Sequence, residues 1–552
     1  MSDRLTSLKN STRIFHREED GSFVIFALFI FIVMIMIGGL AIDVMRYENL
    51  RTTMQNSVDR AVLAAADLDQ TVDPEAVVAD YLDKAGMKEL PYEVDVFESK
   101  VGTVVTGRKV TVNASADLGT YFMKMMGTPT IAAPANSTAE EAVNEIEISM
   151  ILDVSGSMGW GTKLQNMQNA SKTFVTEVLD GVEPGQVSIN VVPYSTQVNA
   201  GATLLGQFSH TNDHNYSHCV DFEQNDFNTT VLSPTVTLQQ AGHFDPWSGY
   251  WRGTFETMAA NGDTPSWVCR TESDFEITPW ASNETAIHNQ IDGFTARGNT
   301  SIDVAVKWGS ALLDPSTRPV FTNLRATPAV SNDFVGDRPY DYNNPAALKF
   351  MVVMTDGINT TQYQLDDAYR SGGSGVFKDP DTGRYSFEDE EINDYDGDSD
   401  WNEDYWYARN YGSSSGRYWI DDVYDSGAEN AFELTWPQLW AEMSMSHRAY
   451  SHFYQRYWNA NHYYDNYYRG STAPREAVNA AQKDTRLNNI CSAAKANGVI
   501  IFTIGFEVTD ASAIVMQNCA STANHFYRVE GLEIEYAFES IANQINQLKL
   551  TQ

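Results

Sequence analysis

Hydrophobic and polar positions divide this chain into four kinds of segment. From Phe23 to Ile42, FVIFALFIFIVMIMIGGLAI, no charged side chain occurs. Such a run forms a helix about 30 Å long, the thickness of a bilayer's hydrocarbon. Val44 to Leu68 stays rich in alanine and long side chains with no Gly or Pro, which predicts that the helix continues. Pro74 to Ala85 predicts a second helix. Tyr92 to Ser137 changes to Val/Thr alternation, as in VTVNASA, the period of strands.

Beyond Glu145 the rhythm alternates. EIEISMILD and VSINVVPY predict strands, with a helical stripe between them at Leu164, Met167, Phe174, Val175 and Val178. Residues 301–313 predict a helix, 350–355 a strand and 499–506 a strand. A stripe at Leu487, Ile490, Cys491 and Ala494 predicts a helix stopped by Gly498. His525–Val529 predicts a weaker strand, and Ile534, Phe538, Ile541, Ile545 and Leu548 a closing amphipathic helix. Alternating strands and helices predict an α/β domain over 145–552, an open, doubly wound, mostly parallel sheet. Two stretches break that rhythm, about 197–285 and about 361–482, and are expected to be large insertions. The remaining segments are 1–22 as a cytoplasmic tail, 23–43 as a transmembrane helix and 44–144 as a small α+β module.

The flanks set an orientation. Arg4, Lys9, Arg13 and Arg17 precede the apolar run, and the chain turns acidic after it. The expectation is a single-pass protein of a bacterial inner membrane, its C-terminal bulk outside the cytoplasm. A cleaved leader or a prepilin-type cut after Gly21 are the alternatives; Phe26 stands where prepilins usually carry Glu. The formal net charge of −36 argues against nucleic acid as a partner. The four cysteines, Cys219, Cys269, Cys491 and Cys519, lie on the outer side and allow three pairings, with 219–269 and 491–519 the local ones; free buried thiols are the other reading.

The candidate chemistry is an oxygen cluster. The apolar run MIL ends at Asp153, followed by Ser155, Gly156 and Ser157. FMVVMTDG places Asp356 at the end of another strand, and GNTSID offers Thr300 ahead of a helix, with Thr295 and Ser301 close by. In open α/β sheets, ligands gather at the carboxyl ends of the strands. Two carboxylates and three hydroxyls suit a hard divalent cation: Mg²⁺, with Mn²⁺ or Ca²⁺ as alternatives. The alternate spacing lets Asp153, Ser155 and Ser157 face one point, with Gly156 expected to permit a tight turn. No nucleophile elbow, phosphate loop or Cys/His dyad occurs, and no enzyme activity is expected.

These segments resemble the von Willebrand factor A-type domain, whose metal-ion-dependent adhesion site joins Asp-x-Ser-x-Ser, a Thr in a Gly-x-Thr loop, and Thr-Asp-Gly. DVSGS, GNT and TDG stand here in that order, and the resemblance implies metal roles for Asp153, Ser155, Ser157, Thr300 and Asp356. The stretch DGSFVIFALFIFIVMIMIGGLAIDVMRYENLRTTMQNSVDRAVLAAA resembles the start of TadG-like proteins of the tight-adherence (Flp) pilus system, as ICSAAKANGVIIFTIGF resembles their ending. That likeness implies a pilin-like module at 44–144, pilus-assembly components as partners, and a disulfide between Cys491 and Cys519.

The expected function is a membrane-anchored envelope protein that binds a protein or glycan through the cation. A structural scaffold whose metal only staples loops, a secreted adhesin and a metallohydrolase are the competing readings. Three weaker features remain. The acidic run at 393–404 reads as a solvated loop or a second calcium site. His210, His214 and His218 read as loop histidines or a zinc site. The aromatic stretches within 361–482 read as a recognition surface or as the insertion's own core.

Overall fold

The computed structural model describes residues 20–67, 70, 72–101, 104–142, 145–334, 336–344, 347–389, 405–409, 417–420, 428–454 and 470–551. The acidic run at 393–404 lies outside them. The chain forms two compact units, divided between residues 143 and 144.

In the first unit, α1 (Asp20–Ala66) is one continuous helix of 47 residues, joining the apolar run and the alanine-rich stretch without a break. It is the one helix among the described residues long and apolar enough to cross a membrane. Its first half is bare. From Gly39 onward it acquires a buried stripe, Gly39 and Asp43, then Met54, Val58, Ala61, Val62 and Ala65, at the 3–4 spacing of one helical face. α2 (Pro74–Lys84) is capped by Asp73, whose side chain accepts from the N–H groups of Glu75 and Ala76. β1 (Tyr92–Val101), β2 (Val104–Gly119) and β3 (Thr130–Ala142) form an antiparallel sheet. Its apolar face, with Val110, Val112, Ala114, Ala133 and Ala135, shares one core with α1 and α2.

The second unit runs β4 (Glu145–Asp153), α3 (Lys163–Leu179), β5 (Val187–Tyr194), β6 (Thr278–Ala281), α4 (Glu284–Asp292), α5 (Ile302–Ala311), β7 (Ala347–Thr355), α6 (Ala480–Ala496), β8 (Ile500–Phe506), α7 (Asp510–Cys519), β9 (Phe526–Val529) and α8 (Glu533–Thr551). The sheet order is β9-β8-β7-β4-β5-β6. Every pair is parallel except β5–β6, so the sheet is mixed. The antiparallel edge strand β6 comes from within the expected insertion at 197–285, whose turn-rich composition hid it.

β4 is buried along its whole length. Ile146, Ile148, Met150 and Leu152 face a core with Phe174 of α3 and Phe538 of α8, while Ile151 faces one with Trp308 of α5 and Ile490 of α6. Apolar side chains on both faces explain why MIL breaks the alternation. Leu152 pairs with Met354 and Asp153 with Tyr194, so Asp153 and Thr355 finish their strands side by side.

Cys219–Cys269 and Cys491–Cys519 are disulfides; the first closes a loop of the first insertion, and the second ties α6 to α7. The second insertion builds its own antiparallel five-stranded sheet, including 373–378, 385–389 and 432–435. Val376, Phe387, Leu434, Leu439 and Trp440 form a core with Phe244 and Val268 of the first insertion. The aromatic stretches at 401–412 and 453–468 lie largely outside the described residues.

Candidate metal centre

Strand ends position the acids. Asp153 is fully buried, and its Oδ1 accepts from the Ser155 N–H at 2.8 Å. Its Oδ2 accepts from Thr355 Oγ1 at 2.7 Å. The Tyr194 hydroxyl lies 3.3 Å from the same oxygen and 3.0 Å from the Met354 carbonyl, with one hydrogen to share between them. Ser155 Oγ is 3.3 Å from Ser157 Oγ, and Ser157 Oγ donates to Asp356 Oδ1 at 2.6 Å. Ser155, Ser157 and Asp356 are thus linked oxygen to oxygen across two strand ends, and Asp153 joins them through the Ser155 N–H.

Gly156 sits in a close approach rather than in a left-handed turn. Its φ is not positive, but its N–H donates to Gly298 O at 2.9 Å, and a Cβ there would sit 3.2 Å from that oxygen. The Arg297 N–H donates to Val154 O at 3.0 Å, so the 297–299 turn is stitched to the 153–157 loop. Thr300, two residues beyond Gly298, is nearly buried and held through its backbone. Its N–H donates to Thr360 Oγ1 at 2.8 Å, and its carbonyl accepts from Lys483 Nζ at 2.7 Å. The two neighbouring hydroxyls are committed elsewhere: Thr295 Oγ1 accepts from Arg270, and Ser301 Oγ donates to Thr196 O.

Sequence reasoning missed the cations around this cluster. Lys163, the first residue of α3, places Nζ 3.0 Å from Asp356 Oδ2 and 3.5 Å from Glu507 Oε2. Lys483, fully buried, donates to Thr300 O, Ser301 Oγ and Thr360 O and so ties the Thr300 loop to α6. Burial pushes Lys483 down to about 8, with Asp303 opposing the shift. Thr355 was also missed as the residue that orients Asp153. A Lys ten residues after Asp153 carries no motif that marks it.

Burial, and then the charge of Asp356, push the Asp153 carboxyl up to about 6. Two mutually repelling acids in a ring of hydroxyls, with one shared ammonium, call for further positive charge. The oxygen spacings of 2.6 and 3.3 Å bracket the separation of about 3 Å between neighbouring ligands on a Mg²⁺ with bonds of about 2.1 Å. On this spacing Ser155, Ser157 and Asp356 fit a small divalent cation.

A cavity of about 210 Å³ adjoins the 297–299 turn, lined by Trp247, Ser266, Trp267, Arg270, Arg297 and Asn299 among others. Buried Asp245 shapes it, accepting from the N–H groups of Trp247, Ser248 and Ser266. Glu272 bridges Arg270 and Arg297, which leaves this wall with a net positive charge in an acidic chain. The candidate zinc histidines form no metal cluster among the described residues. Instead His214 bonds the Ala241 carbonyl, and its ring lies beside Tyr216 and His243.

Residues 21–68 match the family profile described as Flp pilus-assembly TadE/G-like. The N-terminal stretch is therefore TadE/G-like, as its residues suggested. No curated protein matches the chain. Among solved structures it is similar to the vWF domain of the type V pili tip protein Mfa5 from Porphyromonas gingivalis, at 13% identity and TM-score 0.30, over 74% of this chain and 97% of that one. It is also similar to the pilus adhesin SpaC from Lactobacillus rhamnosus GG, at 13% identity and TM-score 0.28, over 82% of this chain and 34% of that one. The pilus adhesin RrgA from Streptococcus pneumoniae overlaps at 11% identity and TM-score 0.27, over 83% and 49%. At TM-scores this low the overlaps bear on neither fold nor function.

Proposed function

We propose that this chain is an envelope protein of a bacterial pilus or tight-adherence system, anchored in the inner membrane by α1. Its second unit is a von Willebrand A-type domain that holds a divalent cation, Mg²⁺ first, and binds a partner through it. Asp153, Ser155, Ser157, Thr300 and Asp356 supply the oxygens. The observation that carries this reading is the contact of Ser157 with both Ser155 and Asp356 beside buried Asp153, four oxygen-bearing residues from separate segments of the fold.

The bound ion supplies a Lewis-acidic centre for an anionic oxygen of the partner. With only two carboxylates among its ligands, such an ion stays electrophilic and favours an acidic oxygen in its open position. The protein's own residues do the rest. Thr355 and the Ser155 N–H hold Asp153 in place, Lys483 fixes the Thr300 loop, and Trp160 stands 72% exposed three residues beyond Ser157 as an apolar contact. The Trp/Arg cavity beside Asn299 would take the group next to the partner's acid.

Capture from envelope extract tests the reading. The wild-type chain should retain a partner in Mg²⁺ and lose it on addition of chelator, and Asp356→Ala should fail to retain it in either buffer. Equal capture by wild type and variant would reject the cation-bridged mechanism.

A further inference from the structure

The buried stripe of α1 begins inside its apolar run, and this has a consequence for the first unit. Gly39 and Asp43 are buried, whereas the other residues from Phe31 to Met45, Val33 excepted, are exposed. What covers them is the turn after β2. Asp43 accepts three backbone N–H groups, from Tyr121 at 2.9 Å, Phe122 at 2.7 Å and Met123 at 2.8 Å. The Phe122 ring lies on Gly39, where a Cβ would meet it at 2.2 Å, so only glycine admits the ring. Gly39 is one turn, about 6 Å, closer to the apolar end of the helix than Asp43.

The turn is locked onto the last turn of the apolar run, yet it shows apolar side chains outward. Tyr121 is 66%, Met125 81% and Met126 59% exposed in the short 3₁₀ helix region that ends at Gly127. Residues 119–130, GTYFMKMMGTPT, hold no acid and one base, Lys124, in a chain of net charge −36. Arg46 stands over the Tyr121 ring at 4.0 Å and donates to Gly119 O at 3.1 Å. Aromatic and basic groups at one level, with thioethers beyond them, match the headgroup–acyl boundary of a bilayer.

We infer that residues 121–126 form a second membrane contact, a turn clamped to α1 through Asp43 and Gly39 that dips Met125 and Met126 into the interface of a bilayer with anionic headgroups. The turn fixes the depth of α1 and the height at which the first unit leaves the membrane, because a helix alone can slide or tilt. The inference rests on the apolar half of α1 lying in a bilayer.

The test uses the full chain in phosphatidylethanolamine/phosphatidylglycerol vesicles, with single cysteines carrying an environment-sensitive dye at Met34→Cys, Met125→Cys or Glu140→Cys. Glu140 pairs with Lys109, about 33 Å along β2 from Gly119. Position 34 should be quenched by nitroxides deep in the acyl chains. Position 125 should be blue-shifted and quenched by nitroxides near the headgroups, by about twofold or more over position 140. Gly39→Leu should lower the quenching at 125 towards that of 140, and unchanged quenching would reject the clamp. Position 125 behaving as 140 does, with 34 still in lipid, would overturn the inference and leave the membrane helix standing. A blue shift at 125 without lipid quenching would overturn it in favour of a protein contact. An aqueous position 34 would overturn both.

Discussion

The paired strands β4 and β7 have buried acids at both ends of the pair, and the two ends are handled differently. At the start of β4, Glu145 pairs with Arg338 and Glu147 with Lys349, acid for base. Arg338 also donates to the carbonyls of Ile146, Gly185 and Gln186, and its guanidinium lies over Phe334 and Tyr340. At the other end Asp153 and Asp356 meet hydroxyls, and the ammonium on Asp356, Lys163, is shared with Glu507. Burying an unmatched charge costs several kcal/mol, and proteins avoid it except where something else completes the site. The matched end reads as architecture and the unmatched end as a place for a cation.

Removing a base from the matched end should have the largest effect. Arg338→Met leaves Glu145 without its partner and removes a donor from three carbonyls, and should cost about 3–5 kcal/mol of stability in denaturant titration. Magnesium-induced stabilisation should survive in the variant, since the two ends are separated by the length of β4. A variant that also loses the magnesium response would show the ends to be coupled and break the contrast.

Acidity gives the next effect. Burial raises the Glu145 carboxyl to about 7, with Arg338 opposing and Glu147 adding. A raised carboxyl means that the folded state keeps a proton the unfolded chain releases above about 4.5. That contribution is fully present below pH 4.5 and is lost as pH rises through 7, on the order of 3 kcal/mol in all. Glu145→Gln stays neutral and should flatten this part of the stability–pH curve, whether or not Mg²⁺ is present. A curve of unchanged slope would mean that the acid is ionised throughout.

At the unmatched end the effect should depend on the ion. Saturating Mg²⁺, at a hundred times its dissociation constant, should stabilise the wild type by about 2.7 kcal/mol. Asp153→Asn should abolish that shift while leaving the metal-free protein within about 1 kcal/mol of wild type, because the amide keeps its place and relieves the repulsion from Asp356. Equal loss with and without Mg²⁺ would instead make Asp153 a structural acid like Glu147.

The unmatched end was the more legible of the two in sequence. DVSGS, GNT and TDG each advertise hydroxyls and acids at strand ends, and register then places Asp153 beside Thr355 and Ser157 on Asp356. The matched end left no such trace, since Arg338 lies 193 residues from Glu145 and in no motif. Periodicity located the other helices and strands of the sheet domain but missed β6, α4 and α7, short elements, and the antiparallel edge that makes the sheet mixed. The helix was expected to continue past the apolar run, and α1 does so: hydropathy changes at Asp43 while backbone geometry does not. The clamp of Asp43 on the 121–123 turn joins residues 78–80 positions apart and could be seen only in the fold.

The smallest effect concerns Lys163 and bears most directly on the contrast. Its ammonium, 3.0 Å from Asp356 Oδ2, neutralises part of a cation ligand and repels the incoming ion. If the site is short of positive charge by design, Lys163 is a weak internal competitor that keeps the metal-free acids tolerable. Lys163→Met should then bind Mg²⁺ about tenfold more tightly in calorimetry, a gain of about 1.4 kcal/mol. The metal-free form should melt slightly lower, because Asp356 and Glu507 lose their shared partner. If Lys163 were to Asp356 what Lys349 is to Glu147, a partner that completes the pair, the variant would lose stability by several kcal/mol and gain no affinity. The two outcomes have opposite signs in the titration, so one protein separates a charge-matched end from a site awaiting an ion.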